Sequence, residues 1–278
     1  MRGRVLGQGK TAKELDFMNA RPRPATVELA SPRAYAGGAA YHATGQTGWG
    51  GPASAAQDAP AYADLIPFDQ VEHTVPARRI ICREQDLHGA VPVICAGWAA
   101  SLVTLSDGSR QILAFLLPGD LISTALLFET RSHCLVEAIT EVRYRTFKRG
   151  ELKEALLKHP DLFEKVSKAW IQEKTRADQL IVDLGRRTAD ERIARLILNL
   201  AERLVRLGMT IPADADVVST VEMEFPLRQH HIADATGLTP VHVSKVLSEF
   251  RRSGLIRISD RSLTILDPAG FRRVADMR

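Results

Sequence analysis

Between residues 65 and 147 the apolar positions come in short runs separated by turn-forming residues: 80–82, 91–95, 98–105, 111–117, 135–139 and 142–146. Runs of this length and spacing predict the strands of an all-β sandwich or barrel. Asp107-Gly108 separates WAASLVTLS from SRQILAFLL. Both turn residues tolerate positive φ, so a tight hairpin is expected there. Pro118-Gly119-Asp120 closes the second of these strands with another turn.

After Phe147 the pattern becomes helical. A short helix is expected over 149–158 and a long one over 160–184. In the long one, Val166, Trp170, Glu173, Ala177, Leu180 and Leu184 recur at alternating intervals of four and three, a heptad seam with one polar position. Such a seam fits pairing of two copies, and equally a helix lying on its own domain. Thr188-Ala-Asp-Glu191 matches a capping box in which hydroxyl and carboxylate each satisfy the other's backbone amide. It opens a further helix whose Ile193, Leu196, Ile197, Leu200 and Leu204 share one face, ended by Gly208. A polar loop or short strand is expected over 209–222.

The most specific stretch covers 225–258, FPLRQHHIADATGLTPVHVSKVLSEFRRSGLIRI. A short helix over 227–236 meets Gly237, the residue type that takes the left-handed conformation cheaply. Thr239 then caps a new helix with Pro240 in its first position, where a missing amide costs nothing. Ile232 and Ala233 before the turn, with Leu238, Val243, Val246 and Leu247 after it, give two steeply crossing helices a shared buried face. This is a helix-turn-helix pattern, whose second helix enters a DNA major groove. Two strands expected over 255–258 and 263–266, joined through Ser259-Asp260-Arg261-Ser262, would form a wing behind it.

Charge sharpens the picture. The 278 residues carry 37 Lys+Arg against 33 Asp+Glu, a net of +4. Residues 226–278 hold nine Lys/Arg and five Asp/Glu, and that difference alone equals the whole excess. A phosphate-binding footprint is therefore expected in the C-terminal part. Composition (45% hydrophobic, 25% charged) is that of a globular chain with room for two domains. No apolar run reaches the roughly 18 residues of a membrane span, so no membrane partner is expected. The first 60 residues contain nine of the 19 glycines, and Gly, Ala and Pro fill 27 of those positions, which predicts a disordered leader over 1–60. It reads either as a functional tail or as sequence upstream of a later start such as Met18. Three scattered cysteines, Cys82, Cys95 and Cys134, make neither a disulfide framework nor a zinc pattern and suit a reducing cytoplasm.

Together, GRRTADERIARLILNLAERL, LRQHHIADATGLTPVHVSKVLSEFRRSGLI and LSDGSRQILAFLLPGDLI resemble the Crp–Fnr superfamily of bacterial transcription regulators over about residues 65–275. The resemblance implies an α+β architecture. A cyclic-nucleotide-binding-like sensory β-roll (a double-stranded β-helix) would occupy 65–150, a dimerisation helix 151–186, and a winged helix-turn-helix domain 187–278. It further implies a cytoplasmic homodimer that binds palindromic promoter sites on double-stranded DNA, with RNA polymerase as a further partner. Residue by residue, Thr239, His242, Arg228 and His230 match positions that touch phosphates in the family. Pro240, Val241, Ser244 and Lys245 match base-reading positions, and Arg261 sits at the wing tip. Only Lys245 keeps a cation among the base readers, and Val241 offers only apolar contact, for instance to a thymine methyl. By the same resemblance, pairing falls to Val166, Trp170, Ala177, Leu180 and Leu184.

The sensory part departs from the family's ligand pattern. Ser123-Thr124 stand where cyclic-nucleotide binders carry Gly-Glu, and Ser132-His133 where they carry Arg-Ser. An anionic phosphate inside a β-roll needs a buried cation, and that cation is missing unless Arg131, one residue away, supplies it. No cyclic AMP binding and no cofactor are therefore expected. Residues 1–81 hold no cysteine, which closes the iron–sulfur route. His88 and His133 as haem ligands, and the three cysteines as a thiol switch, are weaker than readings as solvated or small core residues. His230-His231 does not form a metal pair, because neighbours on a helix diverge by about 100°. An enzyme is not expected: the chain has no Gly-rich phosphate loop, Gly-x-Ser-x-Gly elbow or zinc-ligand pattern. The competing reading is a cyclic-nucleotide-like regulatory or adaptor module that has lost its DNA role.

Overall fold

Residues 71–83, 89–129, 132–211 and 220–276 are described by a computed structural model of the chain. The expected leader over 1–60, His88 and Arg131 lie outside these residues. Seven antiparallel strands build two sheets. One has the order β1 (Val71–Val75), β7 (Val142–Lys148), β3 (Ala90–Ala96), and the other β2 (Ile80–Cys82), β6 (Leu135–Ala138), β4 (Ala99–Thr104), β5 (Arg110–Leu116). The β4–β5 hairpin turns as expected at Asp107-Gly108: Gly108 has φ 83°, and the Asp107 carboxylate accepts from the Ser109 amide at 2.9 Å. Strand β1 had no clear apolar signal; its pattern is mostly exposed, as suits an edge strand.

The lack of apolar–polar alternation from Trp98 to Leu102 has a physical cause. Ala99 joins Ile94, Leu116 and Val136 in a core between the sheets, whereas Trp98, Ala100 and Leu102 join a second core on the other face. A strand buried on both faces loses the alternation of apolar and polar residues. The second core is shared with the C-terminal helices, so this face of the sheet is also the bed of the C-terminal half. A third core packs Val93, Leu126 and Phe147 against helices α1 (Arg149–Lys158) and α2 (Pro160–Arg186).

Helix α3 (Ala189–Arg206) starts at the expected capping box, with Thr188 N donating to Glu191 Oε2 at 2.7 Å and Glu191 N to Thr188 Oγ1 at 3.4 Å. Burial of Glu191 follows from that pairing. Helices α4 (Gln229–Thr236) and α5 (Pro240–Arg252) cross through Gly237, which has φ 65°. A side chain there would come within 3.1 Å of Leu184. The region expected as a polar loop or short strand contributes β8 (Thr210–Ile211) and β9 (Val221–Glu224). With the hairpin β10 (Ile256–Ser259) and β11 (Ser262–Ile265) they make a four-stranded sheet, β10-β11-β9-β8, larger than the expected two-stranded wing. Helix α6 (Pro268–Ala275) was not expected, although Asp267-Pro268 is an N-cap and first-position signal: Gly270 N donates to Asp267 Oδ1 at 2.8 Å. Phe271 packs edge-on against Phe250 at 5.3 Å.

The heptad positions of α2 divide between two faces. Val166 is buried in the sensory core, and Leu180 and Leu184 are half-buried towards the chain's own β5, α3 and Gly237. Only Trp170 and Ala177 of the five expected pairing residues face outward. The outward seam is Phe163, Ser167, Trp170, Lys174, Ala177 and Ile181, which keeps the four–three rhythm. Both sets are heptad-compatible because the two stripes overlap at Trp170 and Ala177. The sensory core and the cavity beside β5 claim the other stripe.

Candidate nucleic-acid interface

The face expected to meet DNA is built on α5. Val243, Val246, Leu247 and Phe250 are buried and fix the helix on α3 and α4. The opposite face is left to solvent: Thr239, Pro240, Val241, His242 and Lys245 are exposed, and Ser244 is half-buried. Val241 is 80% exposed, an apolar side chain with nothing to cover it. Thr239 caps the helix by accepting from His242 N at 3.2 Å, which leaves its own hydroxyl proton for a phosphate oxygen. Among the described residues Lys245 has no ion pair, whereas Arg252 is paired with Glu249 and Arg251 donates to Ser248 Oγ at 3.0 Å. Lys245 is thus the unengaged cation of the helix centre.

His230 on helix α4 and Arg228 at its N-cap are both exposed. His231, half-buried beside them, has a role the sequence did not reveal: its Nδ1 accepts from the Arg228 backbone amide at 3.1 Å, capping the helix that carries both phosphate candidates. Desolvation, with His230, Arg110, Arg228 and Arg78 adding like charge, pushes His231 down to about 4. It is held as the neutral acceptor that the cap needs. The helix-turn-helix spacing alone placed a histidine there without showing that it turns back.

Arg261 projects from the wing hairpin, two-thirds exposed, with only a long 4.0 Å pairing to Glu224. Asp260 and Arg261 both have positive φ, 45° and 65°. That is the geometry of a tight hairpin turn that usually takes Asn-Gly. An arginine in this conformation costs about 1 kcal/mol of backbone strain. The strain is stored where a cation stands at the tip.

The weak effector candidates are satisfied within the chain. Ser123 caps the 3-10 turn Thr124–Leu127, accepting from Ala125 N at 3.2 Å. Thr124, buried, donates from its hydroxyl to Glu173 Oε2 at 2.7 Å and from its amide at 3.3 Å. A carboxylate from α2 therefore fills the place where the resemblance put a ligand. Ser132 is buried on Cys134, donating to its carbonyl at 2.7 Å, and His133 is exposed against Glu129. The three cysteines are free thiols; Cys82 is buried, and desolvation pushes the Cys95 thiol up, away from thiolate reactivity.

The interface is held against the sensory roll. Gln111 Nε2 donates to Ala235 O at 3.4 Å, and Arg110 bridges Glu137 at 2.9 Å and Asp234 at 3.8 Å. Burial holds the Asp234 carboxyl above its usual range, with Arg110 partly offsetting this.

Comparison with known proteins follows this division. The Crp-like helix-turn-helix domain family matches residues 191–274, and the cyclic nucleotide-binding domain family matches residues 72–159. The nitrogen fixation regulation protein FixK of Bradyrhizobium diazoefficiens is 31% identical over 77% of this chain and 86% of its own length. The transcriptional activatory protein AadR of Rhodopseudomonas palustris is 30% identical over 77% of this chain and 85% of its own. The structure of FixK2 from Bradyrhizobium japonicum superposes with a TM-score of 0.64 at 26% identity, covering 74% of this chain and 98% of that one.

Proposed function

The chain belongs to the Crp/Fnr family and is a DNA-binding transcription regulator, and we propose that it works as a homodimer that presents α5 to the major groove at two half-sites. In this reading Val241, Ser244 and Lys245 meet base edges, with Pro240 beside them. Thr239, His242, Arg228 and His230 hold phosphates, and Arg261 adds a contact from the wing. One observation carries the assignment: α5 is buried tightly on one side and leaves Val241 and the unpaired Lys245 bare on the other. An exposed apolar side chain and a lysine without an ion pair, side by side on the outward face, match the contacts that base reading uses.

The second copy pairs along Phe163, Trp170 and Ile181 of α2. These are 59%, 62% and 69% exposed, and Ile171 and Val182 flank them. A stripe of large apolar side chains along one 27-residue helix is otherwise left in water. Cyclic AMP is not expected as the effector, because Ser132 and His133, at the phosphate position of the resemblance, supply no buried cation for its phosphate. RNA polymerase is the further partner to which the family resemblance points. Three free thiols and the absence, among the described residues, of a helix long and apolar enough to cross a membrane support a cytoplasmic setting.

Selection of bound sequences from a random duplex pool tests the proposal. Enrichment of an inverted repeat with half-site centres about 10 bp apart supports it. No enrichment supports the adaptor reading, and a single unrepeated motif contradicts the dimer.

A further inference from the structure

Where strand β5 meets helices α2, α3 and α4, the chain forms a half-open cavity of about 110 Å³. At roughly 10–15 Å³ per water position, this is space for a molecule of about seven to eleven non-hydrogen atoms. Its walls come from all three working parts of the protein. The sensory strand gives Ile112 and Phe115, the connecting helix Arg176 and Leu180, and the DNA-binding half Arg192 and Leu200. The lining is lopsided in charge: four arginines (Arg176, Arg192, Arg195, Arg203) and one carboxylate, Asp183.

The arginines differ in how they are used. Arg203 is spent on Asp120, and Arg195 on Asp183 and Asp276. Arg192 donates to three backbone carbonyls, those of Leu184, Arg187 and Thr236, and among the described residues pairs with no carboxylate. Among the described residues Arg176 has no hydrogen bond and no ion pair, although it is half-buried. Desolvation, then Arg203, pushes its guanidinium below the usual range, with Asp120 and Glu173 only partly compensating. A desolvated cation with neither hydrogen bond nor ion pair, on the wall of a cavity lined by four arginines and one carboxylate, is an arrangement that an anion stabilises.

We propose that this cavity is a binding site for a small organic carboxylate. Its carboxylate would pair with Arg176, and its apolar body would rest on Ile112, Phe115, Leu180 and Leu200. The site is separate from the β-roll position at Ser123-Thr124, which Glu173 already fills. A ligand here touches β5, α2, α3 and α4 at once, so its occupation sets how firmly the DNA-binding half is held on the sensory roll. That last consequence rests on the DNA-binding reading above; the binding itself does not.

Benzoate, with nine non-hydrogen atoms, is the probe, and acetate and inorganic phosphate are the controls without an apolar body. Titration calorimetry on the full chain without DNA is expected to show saturable benzoate binding below about 10 mM, stronger than either control. Arg176→Met is expected to weaken it at least tenfold, and Leu196→Phe, which fills the cavity without touching the charge, to abolish it. Both variants are checked for native melting so that loss of binding is not loss of fold. No saturation, or Arg176→Met binding as wild type, overturns the site. Fluorescence anisotropy with a selected duplex then reads the coupling, expected to be at least about fivefold in DNA affinity at saturating benzoate. Binding without any such change overturns the effector role and leaves DNA recognition untouched. A protein that binds benzoate but no duplex overturns the DNA reading instead.

Discussion

The guanidinium of Arg203, on helix α3, is paired with the carboxylate of Asp120 in the turn after β5. The same arginine donates to the Phe115 carbonyl at 2.8 Å, and the same carboxylate accepts from Leu117 N at 2.8 Å. One buried pair thus ties the first helix of the DNA-binding half to the sensory strand beneath it. Asp120 was legible in the sequence only as a turn residue.

Asp120→Ala leaves a buried guanidinium without its counter-ion and is expected to destabilise the fold by about 3 kcal/mol. Urea unfolding followed by circular dichroism measures this. A change below about 0.5 kcal/mol, the range of ordinary surface substitutions, would mean that the pair does not hold the halves together.

Protonation of His231 removes the acceptor that caps α4. Its folded-state value is about 4 against an ordinary 6.5, so the unfolded chain binds the proton first. Stability is complete above 6.5 and is lost as pH falls from there through about 4. His231→Gln, whose side-chain oxygen accepts without titrating, is expected to flatten that part of the pH–stability curve. An unchanged curve in the variant would remove His231 from the cap.

Arg261→Gly relieves a positive-φ arginine and removes a tip cation in one change. Thermal or urea unfolding is expected to show a gain of about 1 kcal/mol. DNA affinity is expected to fall on all sequences alike, because a wing phosphate contact carries no sequence information. Loss of stability, or unaltered DNA affinity, contradicts the assignment of the strain to function.

Trp170→Asp combined with Ile181→Asp is expected to give monomers by light scattering with the helical signal intact. Leu184→Ala acts differently: it thins the packing under Gly237 and lowers stability while dimers persist. A double variant that stays dimeric would place the pairing surface elsewhere.

Much of this was written in local chemistry. The capping box at Thr188 and Glu191, the turns at Asp107-Gly108 and Gly237, and the Thr239-Pro240 helix start are decided by a few neighbouring residues, and the structure has them where the sequence put them. What the sequence left open is decided at long range. Val166 and Leu184 look like seam residues until the sensory core and the DNA-binding half claim them. Thr124 looks like a ligand position until Glu173, forty-nine residues on, is folded against it. Helix α6 was overlooked although Asp267-Pro268 announced it, because its docking partner Phe250 lies in another element. Sequence spacing identified the exposed face of α5, yet only packing shows that Lys245 is free while Arg252 is engaged.

The most direct measurement is the affinity of the dimer for a selected duplex and for a random one, across a series of salt concentrations. The logarithm of the binding constant is expected to fall linearly with that of salt on both, by about 0.9 per phosphate neutralised, with the selected duplex bound more tightly throughout. Lys245→Ala is expected to cost about 1–3 kcal/mol on the selected duplex and little on the random one. Binding that ignores salt, or a Lys245 variant that loses both duplexes equally, would contradict base reading by α5.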